Sequence, residues 1–256
     1  MSESQTVRLN RYIADSGLCS RREADRLISE GIVTIDGQIA VLGQRVEPGQ
    51  TVRVRGEVVL PHDQPVYLVL HKPAGITCTT DSRRRDNIVD FIGYPQRIYP
   101  IGRLDRDSEG LIFLTNDGSI VNKILRAGNR HDKEYRVTVD QPLTEEFLQG
   151  MASGVPILDT VTKPCKIRPS GSHQFTIILT QGLNRQIRRI CEYFGYSVVR
   201  LVRTRIMHIT LSGLKSGEWR HMTAREVHEL HRLTRGSRHE PPAGDPADDT
   251  GSSDSQ

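Results

Sequence analysis

Gly102-Arg103-Leu104-Asp105-Arg106-Asp107-Ser108-Glu109-Gly110-Leu111 is the stretch on which the reading of this chain turns. It runs into the apolar Ile112-Phe113-Leu114 and the turn residues Asn116-Asp117-Gly118. A glycine near each end lets a short polar segment bend sharply at the rim of a sheet, and the apolar run reads as a buried strand. Three acids alternate along the segment. Asp105, Asp107, Glu109 and Gly110 match the opening of a calcium loop, but the twelfth position is Asn116 where a bidentate Glu is needed, and no helix precedes it. On chemistry alone a solvated acidic turn fits better than a cation site.

Upstream, Tyr67-Leu68-Val69-Leu70 predicts a second buried strand, ending in His71-Lys72-Pro73-Ala74-Gly75. Downstream, a helix is expected from Ile120 to Leu125 with Lys123 and Arg126 exposed. Lys133 to Val139 alternates as a strand with Tyr135, Val137 and Val139 on one face. A helix over Leu143–Met151, a strand around Val155–Leu158 and another over Phe175–Leu179 follow. From Arg185 the pattern is helical: Ile187, Ile190, Cys191 and Phe194 recur at i, i+3, i+4 and i+7, with Arg185, Arg188 and Arg189 opposite. Three arginines on one face repel one another unless a carboxylate or phosphate is near, although a solvated basic face is the plainer reading. Val198–Val202 and Ile206–Ile209 read as separate strands carrying Arg200, Arg203 and Arg205. Thr223 with Glu226 forms a capping box for a last helix reaching Leu233. His228 and His231 lie at i, i+3 with no third ligand beside them, so they read as surface residues and no metal site is expected.

Ahead of all this, Leu9, Tyr12 and Ile13 sit at helical spacing before Ser16-Gly17. Ser20-Arg21-Arg22-Glu23 starts a second helix running to about Ser29. Val33-x-Ile35 with the turn Asp36-Gly37 begins a series of short strands continuing at Val41, Val46 and Val52-x-Val54. Pro61-His62-Asp63-Gln64-Pro65 reads as a linker.

The 256 residues carry a net charge of +4, unevenly spread. Residues 1–62 hold eight basic and eight acidic side chains, and residues 236–256 hold one Arg against five acids. Residues 63–235 therefore carry 26 basic against 18 acidic groups, or +8, which favours a polyanionic partner. Cys19, Cys78, Cys165 and Cys191 are scattered with no Cys-x-x-Cys pair, against zinc and against a disulfide framework. No apolar run approaches membrane-spanning length and no signal peptide opens the chain, so a cytoplasmic protein is expected. Pro, Gly, Ser and Asp dominate 236–256, which is expected to be a disordered tail.

Gly-Arg-Leu-Asp-x-Asp-Ser-Glu-Gly-Leu resembles the catalytic motif of pseudouridine synthases, in the RsuA-like branch that modifies bacterial ribosomal RNA. The resemblance covers about residues 7–235. His-Lys-Pro-Ala-Gly is similar to the Asn-Lys-Pro-x-Gly motif of these enzymes, with His71 in place of Asn. Lys133-Glu134-Tyr135 matches a Lys-x-Tyr motif, and Asn-Arg-Gln-Ile-Arg-Arg matches the motif whose Arg, here Arg188, pairs with the catalytic Asp. Arg-Asp-Asn-Ile-Val-Asp-Phe and Ile-Leu-Arg-Ala-Gly-Asn are closest to large-subunit synthases of the F type. Arg-Leu-Asn-x-Tyr-Ile, Ser-Arg-Arg-Glu-Ala-Asp and Val-x-Ile-Asp-Gly resemble the S4 RNA-binding domain.

What the resemblance implies is an α+β protein: an S4-like RNA-binding domain over 7–62, then a synthase domain with a mixed, largely antiparallel sheet over 66–235. Asp105, Arg188 and Tyr135 are the implied catalytic residues. Arg8, Arg11, Arg21, Arg22 and Arg26 are implied to meet phosphates. Arg83, Arg84 and Arg85 in a loop, with Arg103, Arg185, Arg189, Arg203 and Arg205, are further candidates for RNA binding. The implied substrate is large-subunit ribosomal RNA, with transfer RNA as a second candidate, acted on by a monomer. Pseudouridine forms when the bond between ribose C1′ and base N1 breaks, the base turns and C5 is joined instead. That needs an ionised carboxylate and an extracted nucleotide, and no cofactor. Asp105 is the carboxylate expected, while Asp107 and Glu109 are expected to make local contacts. The competing reading is an S4-type binding or ribosome-assembly factor without activity. A glycosidase using Asp105 with Asp107 fits poorly, because neighbours on one loop seldom flank a bond from opposite sides.

Overall fold

The computed structural model describes residues 6–62, 64–125 and 131–237. Arg126 and residues 238–256, on which the exposed helix end and most of the tail were expected, lie outside them.

In the N-terminal module, strand β1 (Val7–Arg8) leads into helices α1 (Leu9–Asp15) and α2 (Arg21–Ser29). Ser20 caps α2 by accepting the Glu23 amide at 3.1 Å, while Glu23 turns its carboxylate to Arg26. Strands β2 (Val33–Ile35), β3 (Gln38–Ile39), β4 (Arg45–Val46), β5 (Val52–Val54) and β6 (Glu57–Val58) follow. The sheet order is β3–β2–β5–β6, and β4 pairs with β1. Asp36 and Gly37, at φ 51° and 84°, make the tight β2–β3 turn that Asp-Gly announces. Leu9, Ile13, Leu27, Ile28, Val33 and Val52 fill the core. Val41 is not in a strand. Gln44 closes a turn on it, donating its amide to the Val41 carbonyl and accepting the Val41 amide at 3.0 Å.

The second module is built on one nine-stranded sheet. Its elements are β7 (Tyr67–Lys72), α3 (Ile88–Ile92), β8 (Tyr99–Ile101), β9 (Glu109–Thr115), α4 (Gly118–Leu125) and β10 (Lys133–Val139). After these come α5 (Glu145–Ser153), the hairpin β11 (Pro156–Ile157) and β12 (Thr160–Val161), then β13 (Lys166–Gly171) and β14 (Gln174–Leu179). The chain closes with α6 (Gln186–Tyr193), β15 (Val198–Ile206), β16 (Ile209–Thr210), β17 (Trp219–His221) and α7 (Ala224–Thr234). The strand order is β13–β14–β10–β15–β9–β7–β17, with β8 beside β9 and β16 beside β15. Every pairing is antiparallel except β15 with β9, which run parallel through Val202↔Glu109 and Arg203↔Gly110 alone.

The sheet therefore consists of two antiparallel halves joined at one short parallel step. The two strands expected at Val198–Val202 and Ile206–Ile209 appear with shifted bounds: the first runs on to Ile206, because β10 holds it along its whole length, and the second is only Ile209–Thr210. Three cores cover the sheet. Val137, Phe147, Phe175, Ile187 and Ile190 pack under α5 and α6. Tyr67, Val69, Phe113, Ile120 and Leu230 pack under α4 and α7. Leu68, Leu70, Ile88, Leu104 and Ile112 pack under α3, on the opposite face of β7. No helix among the described residues is long and apolar enough to cross a membrane.

Helix α7 realises its capping box fully. Thr223 Oγ1 accepts the Glu226 amide at 3.2 Å, and Glu226 accepts the Thr223 amide at 2.8 Å. The same carboxylate takes both arms of Arg220 at 2.7 Å, which holds its pKa down to about 2 from an ordinary 4.5. A depressed carboxylate stabilises the fold fully above its unfolded pKa, and that stability is lost as pH falls through the folded one. Glu226→Gln is expected to cost about 1 kcal/mol at pH 6, the scale of a lost cap. Urea denaturation should show the difference from the parent shrinking as pH falls below 4.5 towards 2. A difference that grows on acidification would exclude this assignment.

Candidate active site

The loop between β8 and β9 is pinned from one side by the segment after β7. Lys72 is fully buried, and its Nζ donates to the carbonyls of Pro73 at 2.9 Å, Ile76 at 2.8 Å and Arg106 at 3.4 Å. Burial lowers the Lys72 pKa, and the carbonyl ring compensates for its desolvation. Gly75 N donates to Arg106 O at 2.7 Å, and Leu104 N to Cys78 Sγ at 3.3 Å. Within the loop, Ser108 N closes a turn onto Asp105 O at 3.1 Å. Asp105 is thereby fixed in backbone while its side chain stays one-third exposed.

The other side is held by α6. Arg185, at its N-cap, sits in left-handed backbone (φ 48°, ψ 32°), which is strained for a non-glycine residue. Its Nη1 lies 3.6 Å from Asp105 Oδ2 and 3.5 Å from Asp107 Oδ1. Arg188 is buried, not on a solvent face as its position on the helical wheel suggested. It pairs with Asp107 Oδ2 at 3.1 Å and reaches the Asp107 carbonyl and Ser108 Oγ, both at 3.4 Å, and Val198 O at 3.2 Å. The expected Arg188–Asp105 pair is thus corrected: Arg188 grips the loop two residues on, and Arg185 is the cation at Asp105. The physical reason is the turn closed by Ser108, which carries Asp107 round to α6. Glu109 makes its own pair with Arg200 at 2.9 Å.

Tyr135 lies half-buried between two cores, opposite Arg203 in the β10–β15 register. Arg203 is only 4% exposed; it donates Nε to Leu111 O at 2.7 Å and its guanidinium carbon lies 6.0 Å from the Tyr135 ring centre. It is therefore part of the site's floor, and its reading as a phosphate contact is corrected. Arg205 is likewise spent inside, on Met207 O at 2.7 Å and Glu134 at 3.4 Å. Lys133, buried beside Arg203, has its pKa pushed down to about 8, first by desolvation and then by that charge.

Arg8, Arg21, Arg22, Arg85 and Arg103 are exposed, as is Arg11, which pairs with Asp15 at 3.2 Å. Arg83 and Arg84 are exposed too, but are engaged by Asp81 at 2.7 Å and Asp86 at 3.3 Å. Arg189 is half-buried and donates to Asn184 O at 3.1 Å. His231 stands edge-on to Tyr67, Nε2 3.2 Å from its hydroxyl, and no cluster of three metal-ligating side chains occurs among the described residues. Sequence reasoning held Lys72, Lys133, Ser108 and Gly110 only as letters of the matched motifs and gave none of them a role in this site. A lysine ending the apolar strand Tyr67–Leu70 was the available signal for the first.

The family model described as RNA pseudouridylate synthase matches residues 66–193, and the S4 domain model matches residues 7–52. The dual-specificity RNA pseudouridine synthase RluF of Escherichia coli (strain K12) is 56% identical over 239 residues, covering 93% of this chain and 82% of that protein. The ribosomal large subunit pseudouridine synthase B of Bacillus subtilis (strain 168) is 37% identical, covering 88% of this chain and 96% of its own length. A solved pseudouridylate synthase superposes with a TM-score of 0.65 at 28% identity, covering 88% of this chain and 99% of that one.

Proposed function

The chain belongs to the RNA pseudouridylate synthase family and forms pseudouridine in RNA, and on that premise we propose that Asp105 is its catalytic carboxylate and a uridine of large-subunit ribosomal RNA its target. The observation that carries the assignment is the loop itself. Asp105 is held by backbone from the Lys72 side and faced by Arg185 from α6, with its carboxylate open to solvent. A target base drawn out of its stack needs an aromatic surface in exchange, and Tyr135 offers one at the floor. Arg185 keeps the carboxylate oriented; Arg188 and Lys72 hold the loop that carries it. Arg8, Arg11, Arg21, Arg22, Arg83, Arg84, Arg85, Arg103 and Arg189 meet phosphates around this opening and on the S4 module.

The name of the Bacillus relative supports ribosomal RNA as substrate, and that of RluF supports a second substrate, which we take to be transfer RNA. Mapping pseudouridines in both RNAs from cells with and without the protein tests this. One ribosomal and one transfer RNA site should disappear; a change confined to other RNAs would refute the substrate assignment.

The two arginines of α6 separate by role. Arg188→Ala should lower single-turnover rate by about a hundredfold, the cost of about 1 Å of misplacement in a catalytic group. Arg189→Ala should weaken RNA binding and reduce the salt slope by about one counterion. Equal losses of affinity in both variants, with turnover at saturation intact, would dissolve the distinction.

A further inference from the structure

At the outer edge of the sheet, β17 carries the only tryptophan of the chain. Trp219 is 37% exposed and meets Tyr94 at 5.8 Å and His221 at 5.9 Å between ring centres, while Tyr94 and His221 meet at 5.6 Å. All three contacts are edge-to-face. Phe91 of α3, 40% exposed, reaches Gly217 just before the strand. Three rings in mutual contact, with Phe91 near the start of the strand, thus form a partly wet aromatic surface in a chain that is only 5% aromatic. Tyr94 packs against the Leu68, Leu70, Ile88 and Ile98 core, while Trp219 and Phe91 keep more than a third of their surface in solvent.

Its position relates it to the active site. Trp219 pairs with Leu70 and His221 with Leu68, so their side chains share the face on which Leu68, Leu70 and the catalytic-loop residue Leu104 pack. Tyr135 packs against that same core. Beside the rings, Tyr94, Gln96 and His221 line a cleft of about 290 Å³. The surrounding module carries +8, and helix α3 is entered from the exposed Arg83–Arg85 loop.

We propose that the Phe91–Tyr94–Trp219–His221 surface is a stacking platform for an unpaired base of the substrate RNA, outside the target uridine. The inference rests on the reading of the Asp105 loop as the RNA-modifying site. Exposed aromatic rings on a basic domain suit single-stranded RNA because every base has a π-face and the phosphates supply the opposite charge. The platform extends the footprint along the sheet from the catalytic loop and selects substrates with a flexible flank.

The single tryptophan makes the test direct. Asp105→Asn protein is titrated with a large-subunit ribosomal RNA stem–loop bearing single-stranded flanks, and binding is followed by anisotropy of the labelled RNA. Trp219 emission should be quenched in step with anisotropy and its acrylamide accessibility should fall. A fully paired version of the RNA should leave both unchanged. Trp219→Ala should weaken binding of the flanked RNA about five- to a hundredfold, the range for losing one stacked base, and Trp219→Phe should restore most of it. RNA that binds with Trp219 emission and accessibility unchanged overturns the platform, and assigns the rings to a protein partner or to none. Failure of the parent protein to form pseudouridine in the same RNA would instead strike the reading of the site, so the two failures are distinguishable.

Discussion

Replacing Asp105 by Asn is expected to remove nearly all pseudouridine formation while leaving the fold and RNA binding in place. The change preserves size and most hydrogen bonding but removes the negative charge. Asp105 contributes its charge only at the opening, since its backbone alone carries the turn to Ser108. The expected loss is about 10⁴-fold or more in single-turnover rate, the scale on which enzymes respond to loss of an essential catalytic side chain. Affinity should hold or rise slightly, because an anion near the phosphates has gone. Asp107→Asn is the control: it weakens the pair with Arg188, yet Arg188 keeps its bonds to Asp107 O, Ser108 Oγ and Val198 O. It should lose about tenfold, as expected for slight misplacement. An active Asp105→Asn protein, or a dead Asp107→Asn one beside it, would remove Asp105 from the centre of the mechanism.

Gly110→Ala should be the most damaging single methyl group in the catalytic module. Gly110 has φ 114°, and a Cβ there would stand 2.3 Å from the Arg203 carbonyl oxygen and 2.4 Å from its nitrogen. Both atoms are backbone of the strand across the parallel step, so no rotamer change relieves the contact. We expect a loss of about 4–5 kcal/mol, the range of severe core disruption. Thermal unfolding should fall by roughly 10 °C or more for a chain of this size. A variant melting within about 3 °C of the parent would mean that the two halves of the sheet separate at this point without cost. Because the same contact fixes Arg203 under Tyr135, the surviving folded fraction should also be slow.

What could be read from the sequence was local. The capping box of α7, the Ser20 cap and the Asp36-Gly37 turn are decided by residues within three positions of one another, and they appear where expected. The Asp105 loop was legible as a glycine-bounded polar segment, but the role expected of it came from resemblance. Contacts set by distant packing were not legible. Whether Arg188 meets Asp105 or Asp107 depends on how a turn is wound after α6 has docked, and sequence spacing carries no trace of that. Lys72 looks like the polar end of a strand until the carbonyls around it are seen. Strand β13 was missed because Lys166–Gly171 lacks apolar alternation and contains Pro169, which an edge strand tolerates.

The parallel step between Glu109–Gly110 and Val202–Arg203 has a consequence for synthesis of the protein. The contacts that complete the site, Arg188 to Ser108, Arg203 to Leu111 and Arg200 to Glu109, join residues 80, 92 and 91 positions apart. At a translation rate of roughly 5–20 residues per second, Asp105 leaves the peptidyl-transferase centre about 4–17 s before Arg188 is made. Through that interval the growing chain carries its acidic loop with neither the helix that orients it nor the strand that seats it. A truncated or stalled product ending before Gln186 therefore holds the acidic Asp105 loop without the contacts that complete it, even while it is tethered to a ribosome.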